Sequence, residues 1–151
     1  MSALVSPAPP PVMSAAEVAA FLDREFPQLG DGGEPLFTLV SVDPMGAVMR
    51  LVAHPRNLRP GGTVSGPAMF ALADVALYAA ILAQIGPVGL AVTTSFNINF
   101  LLKPPPGDLV GEARLLKLGR RLAVGEVAIR LPQGGDLVAH ATGTYSIPPR
   151  G

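Results

Sequence analysis

A single carboxylate, Asp74, sits inside the most apolar run of the chain, PAMFALADVALYAAILAQI from Pro67 to Ile85. Burying a carboxylate without partners is costly, so Asp74 must be paired, open to a cleft, or employed in chemistry. The chemistry open to such a group is to take a proton from water or to attack an electrophile directly. A carboxylate that faces a solvent channel or bridges an arginine fits the same spacing equally well. The second feature is Ser65-Gly66-Pro67, where that apolar run begins. The first N–H groups of a helix have no intrahelical partner and carry the positive end of its dipole. The Gly66 N–H is therefore a candidate to polarise a carbonyl or hold an oxyanion, with Pro67 contributing no donor. Taken alone, a plain helix cap is the simpler reading. His54 and Asn57 precede this start, and Thr93, Thr94 and Ser95 follow the helix. Each is able to place a water, and each is equally at home as a loop or strand-end polar group. Arg120 and Arg121, with Arg56, Arg59, Lys103, Arg114 and Lys117, supply positive charge suited to phosphates, although charged hairpin tips are commonplace.

The elements that must position these groups are legible in outline. Ser14–Phe26 predicts a helix with Ser14 as N-cap, Glu17 completing a capping box, and Val18, Phe21, Leu22 and Phe26 on one face. Two short strands, Pro35–Val42 and Ala47–Ala53, flank a turn at Asp43-Pro44-Met45-Gly46, and His54–Thr63 is a loop. Pro67–Ile85 predicts a long helix, with Ser65 or Gly66 as cap and Gly86-Pro87 as stop. Apolar almost all round, it must be buried on every face or lie in a membrane. Four strands follow: Val92–Leu102, with Phe96, Ile98 and Phe100 sharing a face, then Leu109–Leu118, Leu122–Leu131 and Leu137–Ile147. His140 falls on the outward side of the last. Strands that run together rather than alternate with helices define an α+β class, a mostly antiparallel sheet curled around one apolar helix.

Composition narrows the possibilities further. With 151 residues the chain forms one domain, expected over residues 14–148, after a Pro-rich disordered tail over residues 1–13 that carries no basic n-region. Only 15% of residues are charged against 49% hydrophobic, which points to a surface partly covered by another copy of the chain. Zero formal net charge argues against a nucleic-acid partner. An ionised Asp74 near mid-bilayer would cost roughly 2.5 kcal/mol or more, so a membrane span is not expected. The chain has no cysteine, which excludes disulfides and thiol nucleophiles and fits a reducing cytoplasm; His54 and His140 lack metal-ligand spacing.

The run NLRPGGTVSGPAMFALADVALYAAI, followed by VTTSFNINFLLKPPPGDLVGEARLLKLGRRLAVGEVAIRLPQGGDLVAHATGTY, resembles the hotdog-fold acyl-CoA thioesterases of the phenylacetate-pathway (PaaI-like) group. The resemblance covers roughly Leu36 to Ser146. It rests on a loop asparagine, a glycine at the helix start, an acid eight residues later, and the rhythm of strands and turns downstream. It implies a hotdog fold and hydrolysis of an acyl-CoA to free acid and CoA, with no cofactor or metal. It assigns Asp74 as general base or nucleophile, the Gly66 N–H as the carbonyl polariser, and Asn57 and Thr93 as assisting groups. Ser65, Thr94, Arg120 and Arg121 are the substrate contacts it suggests. It also implies a homo-oligomer, a dimer or dimer of dimers, in which Asn57 and Asp74 meet across the interface. The chain departs from the family's His-Gly-Gly motif, since Ser65 replaces the histidine and Pro67 the second glycine. A non-catalytic acyl-CoA-binding or regulatory hotdog protein is the alternative. A hotdog hydratase needs a histidine placed with the acid, and none follows Asp74 on its helix. A purely structural oligomer domain is a further alternative from outside the enzymes.

Overall fold

The computed structural model describes residues 7–31 and 34–149. Helix α1 (Ala15–Glu25) starts at Ser14, whose side chain accepts the Glu17 N–H while Glu17 returns a bond to the Ser14 N–H, the expected capping box. Its inner face buries Val18, Phe21 and Leu22. Two short strands, β1 (Gly30–Asp31) and β2 (Glu34–Pro35), pair with one another. The main sheet holds β3 (Phe37–Asp43), β4 (Gly46–Leu51), β5 (Val92–Phe100), β6 (Leu109–Leu118), β7 (Leu122–Arg130) and β8 (Ala139–Ser146). Its order is β3-β4-β6-β7-β8-β5, antiparallel throughout, so β5 is an edge strand. Against its inner face lies α2 (Gly66–Ile85), capped by Ser65 and ended by Gly86 at a positive φ of 106° that suits glycine. This is the hotdog arrangement, and the α+β reading of the sequence holds.

Packing between α2 and the sheet is set by one notch. Gly125 on β7 and Gly143 on β8 are direct register partners. A Cβ on Gly125 would collide with Leu77 Cδ1 and lie 2.9 Å from the Arg114 carbonyl oxygen; one on Gly143 would lie 2.5 Å from the Phe96 ring and 3.2 Å from Leu77 Cδ2. The missing side chains let Leu77 seat directly on the backbone and draw α2 onto the sheet. Leu72, Leu77, Ile81 and Leu82 are thereby fully buried, each contributing on the order of 1.5–3 kcal/mol.

Two expectations change. The tail was expected to be disordered over residues 1–13. Its first six residues lie outside the described ones, but the stretch that follows is held: the Val12 and Met13 N–H groups donate to the Ala83 carbonyl at 2.7 and 3.0 Å. Buried Gln84 completes the clasp, donating to the Pro9 carbonyl at 2.9 Å and accepting the Met45 N–H at 2.8 Å. A proline-rich segment has few donors of its own, so it docks through its carbonyls and the last N–H groups before α1. The second change concerns α2, which is not covered all round. Pro67 and Phe70 are exposed and Ala71 and Asp74 half-buried, a stripe at helical spacing that the sheet's curl leaves open.

The notch carries a direct prediction. Gly125→Ala is expected to lower stability by about 1–3 kcal/mol, because the Arg114 backbone cannot yield. A denaturant midpoint equal to wild type would show that Leu77 does not seat as described.

Candidate active site

Asp74 lies on the open stripe of α2, three residues before Leu77, so the notch that seats Leu77 also fixes the height of Asp74 over the sheet. Two strands reach it. From β5 the Thr93 hydroxyl donates to Asp74 Oδ1 at 2.8 Å. From β8, two residues beyond Gly143, the Tyr145 hydroxyl lies 2.5 Å from the same Oδ1 and 3.0 Å from the Asp74 main-chain carbonyl oxygen. Both side-chain bonds land on Oδ1, and no hydrogen bond among the described residues engages Oδ2. The carboxylate borders a cleft of about 370 Å³ whose walls include Phe26 from the end of α1, Val75 and Tyr78 of α2, and Ala91 and Val92. The site is a largely apolar slot with an oriented carboxylate at one wall.

Tyr145 is buried, and its phenol pKa is pushed far above the ordinary tyrosine range, first by burial and then by the negative charge of Asp74. It therefore stays protonated and acts as a donor. Tyr78 stacks on it with ring centroids 6.1 Å apart and donates to the Gly89 carbonyl at 3.0 Å; burial raises its pKa too, with a smaller push from Glu25.

A second group of polar atoms gathers at the start of α2. Ser65 Oγ accepts the Ala68 N–H at 3.3 Å, and the Ser65 N–H donates to the Asn57 carbonyl at 2.7 Å. Asn57 closes a short 3-10 turn, Pro55–Asn57, and its side-chain Oδ1 is buried without a hydrogen-bond partner among the described residues. The cap takes the Ala68 N–H and so does not consume that of Gly66. Gly66 sits under the Phe100 ring, whose nearest atom is 3.2 Å from where a Cβ would project.

The sequence-predicted residues thus fall into two clusters. Asp74 and Thr93 meet; Asn57, Ser65 and Gly66 meet; the two groups are separated by eight residues of α2, about 12 Å along the helix axis. One chain does not bring them together. Thr94 belongs to neither, since its hydroxyl donates to the Thr144 carbonyl at 3.3 Å on the outer side of the sheet. Arg120 and Arg121 are exposed at the β6–β7 turn, at the end of the sheet where Leu122 and Val92 both pair with Ser146. His140 faces outward, 3.4 Å from Glu126. Among the described residues no group of three His, Cys, Asp or Glu side chains is arranged to hold a metal.

Tyr145 escaped the sequence reading. Its signal was present, because it follows Ala139, Ala141 and Gly143 on the inward side of β8 as the polar member of that row, and a buried phenol needs an acceptor.

Residues 61–138 match the thioesterase superfamily. A candidate esterase of Pseudomonas aeruginosa is 33% identical over 102 residues, covering 67% of this chain and 75% of that protein. A solved structure of a candidate thioesterase from Silicibacter sp. TM1040 superposes with a TM-score of 0.82 at 48% identity, covering 92% of this chain and 94% of its own. The phenylacetic acid degradation protein PaaI of Thermus thermophilus superposes at 0.65 with 26% identity, covering 85% of this chain and 99% of that one. The chain belongs to the thioesterase superfamily, as a hotdog protein of PaaI-like type whose class of chemistry is thioester hydrolysis.

Burial raises the pKa of both tyrosines of the chain, and that of Tyr145 strongly. The unfolded chain releases its phenol protons near pH 10. Stability from Tyr145 is therefore fully present below pH 10 and declines above it, by about 1.4 kcal/mol per pH unit until the folded phenol ionises. In a Tyr78→Phe background, where Tyr145 is the one tyrosine left, tyrosinate absorbance at 295 nm should rise only together with loss of the far-ultraviolet circular dichroism signal. Titration of Tyr145 in the intact fold would contradict the burial described.

Proposed function

We propose that this protein is a cytoplasmic acyl-CoA thioesterase that works as a homodimer or dimer of dimers, with each active site shared between two copies. The observation that carries this reading is the division of the chemistry-bearing groups into two clusters about 12 Å apart along α2. A thioester needs its attacking group and its oxyanion donor within hydrogen-bonding reach of the same carbonyl.

A second copy supplies what one chain lacks. β5 is an unpaired edge, and Val92, Phe100 and Leu101 are exposed along it and its continuation, as is Phe70 on the open stripe of α2. Pairing two β5 edges antiparallel about a twofold axis between Phe96 and Asn97 sets Thr93 opposite Phe100 of the other copy. Thr93 marks the Asp74 cluster and Phe100 covers Gly66, so the two clusters approach across the interface. In that setting Asp74 Oδ2 takes a proton from a water whose oxygen attacks the thioester carbon. The Gly66 N–H steadies the developing oxyanion, and Asn57 Oδ1 helps place the water. Collapse of the tetrahedral intermediate breaks the C–S bond, and the CoA sulfur leaves and is protonated. Arg120 and Arg121 lie at the Thr93 end of the sheet, where they suit the phosphates of the carrier.

Wild type should hydrolyse members of an acyl-CoA panel, with Asp74→Asn slower by at least about a hundredfold. Binding without turnover by wild type would favour the non-catalytic alternative. Mixing inactive Asp74→Asn with inactive Gly66→Val should restore about a quarter of wild-type activity, because half the twofold dimers are then mixed and each holds one intact site. No recovery after subunit exchange would place each site within a single chain.

A further inference from the structure

The Tyr145 phenol touches one residue twice, at the Asp74 side chain and at the Asp74 main chain. Holding both atoms from one point restricts the rotation of the Asp74 side chain, which the Thr93 bond alone leaves free to pivot about Oδ1. The phenol is itself fixed independently of Asp74. Its ring stacks on Tyr78 at an interplanar angle of 13°, and Tyr78 is tied to the Gly89 carbonyl. With two donors on Oδ1, the negative charge there is engaged, and Oδ2 is the oxygen presented for proton transfer.

We propose that Tyr145 is a positioning residue for hydrolysis, a proton donor that clamps Asp74 so that Oδ2 faces the reacting water. The role rests on the thioesterase reading and goes beyond it, since the phenol hydroxyl acts through its bonds to Asp74. It is not a base, because its own proton is held in place. The titratable groups nearest the clamp are Tyr78 on α2 and, acting on Tyr78, Glu25 at the end of α1.

Tyr145→Phe keeps the ring and its stacking while removing the donor. On an acyl-CoA that wild type turns over, kcat should fall about 10- to 100-fold, because a loosened Asp74 spends less time in the reactive geometry. KM should stay within about twofold, because the hydroxyl removed is bonded to Asp74 and the ring that lines the cleft is kept. A fall in kcat accompanied by a rise in KM of similar size would indicate general disruption and overturn the role. Wild-type kinetics in Tyr145→Phe would overturn it while leaving the thioesterase reading intact, whereas a wild type without turnover would sink both. The clamp has a readout apart from activity. A short phenol–carboxylate bond should give a proton resonance downfield of the amide region, lost in Tyr145→Phe and in Asp74→Ala alike. Its absence from the wild-type spectrum would refute the clamp even if Tyr145→Phe folded poorly.

Discussion

The desolvation of one carboxylate organises the centre of this molecule. A helix as apolar as α2 gains stability by being covered, and Asp74 is the member of it that coverage penalises. The fold meets both demands by curling the sheet around most of the helix and leaving uncovered the stripe of Pro67, Phe70, Ala71 and Asp74. What the stripe still lacks in hydration, β5 and β8 replace with the hydroxyls of Thr93 and Tyr145. The order of the sheet follows from the same need. Only because β8 lies between β7 and β5 do the glycine notch, the phenol and the threonine all face a single turn of α2, from Asp74 to Leu77.

Coverage and chemistry are coupled through distance. Gly125 and Gly143 let Leu77 rest on the backbone, and Tyr145 stands two residues further along the same face as Gly143. A bulkier residue in the notch would lift α2 away from the strands and lengthen the bonds to Asp74 together. The clasp at the other end of the helix works in the same direction. Gln84 ties the C-terminal turn of α2 to the β3–β4 turn and to the N-terminal segment, so α2 is held both at its middle and at its C-terminal end.

Much of this is legible in the sequence. The serine caps that open α1 and α2 and the glycine that ends α2 are local signals, and both helices begin within a residue of where those signals place them. The strands were legible by alternation, and Asp74 by its isolation among apolar neighbours. Thr93 was found because it opens the next strand. Tyr145 was not, because its partnership with Asp74 depends on which strand lies over which turn of α2, seventy-one residues apart in sequence, and no periodicity encodes that register. The open stripe was missed for a related reason. An all-round apolar helix states that it will be covered but not by what, and a sheet of one chain can curl only so far.

That incomplete coverage is where sequence composition and site geometry meet. The low share of charged residues suggested a surface hidden by a second copy, and the exposed apolar side chains Val92, Phe100, Leu101 and Phe70 lie on β5, its continuation and the open stripe. The same strand, β5, meets Asp74 through Thr93 and Gly66 through Phe100. A monomer would leave this edge strand bare and Gly66, the proposed oxyanion donor, roofed by Phe100. In the proposed dimer, joining two edges would remove the exposed strand, bury the aromatic rings and complete two sites at once. The replacement of the family's His-Gly-Gly by Ser65-Gly66-Pro67 is compatible with this economy. Serine caps the helix through the Ala68 N–H, proline occupies a position where a helix needs no donor, and the Gly66 N–H is left for the carbonyl that the other copy's Asp74 would serve.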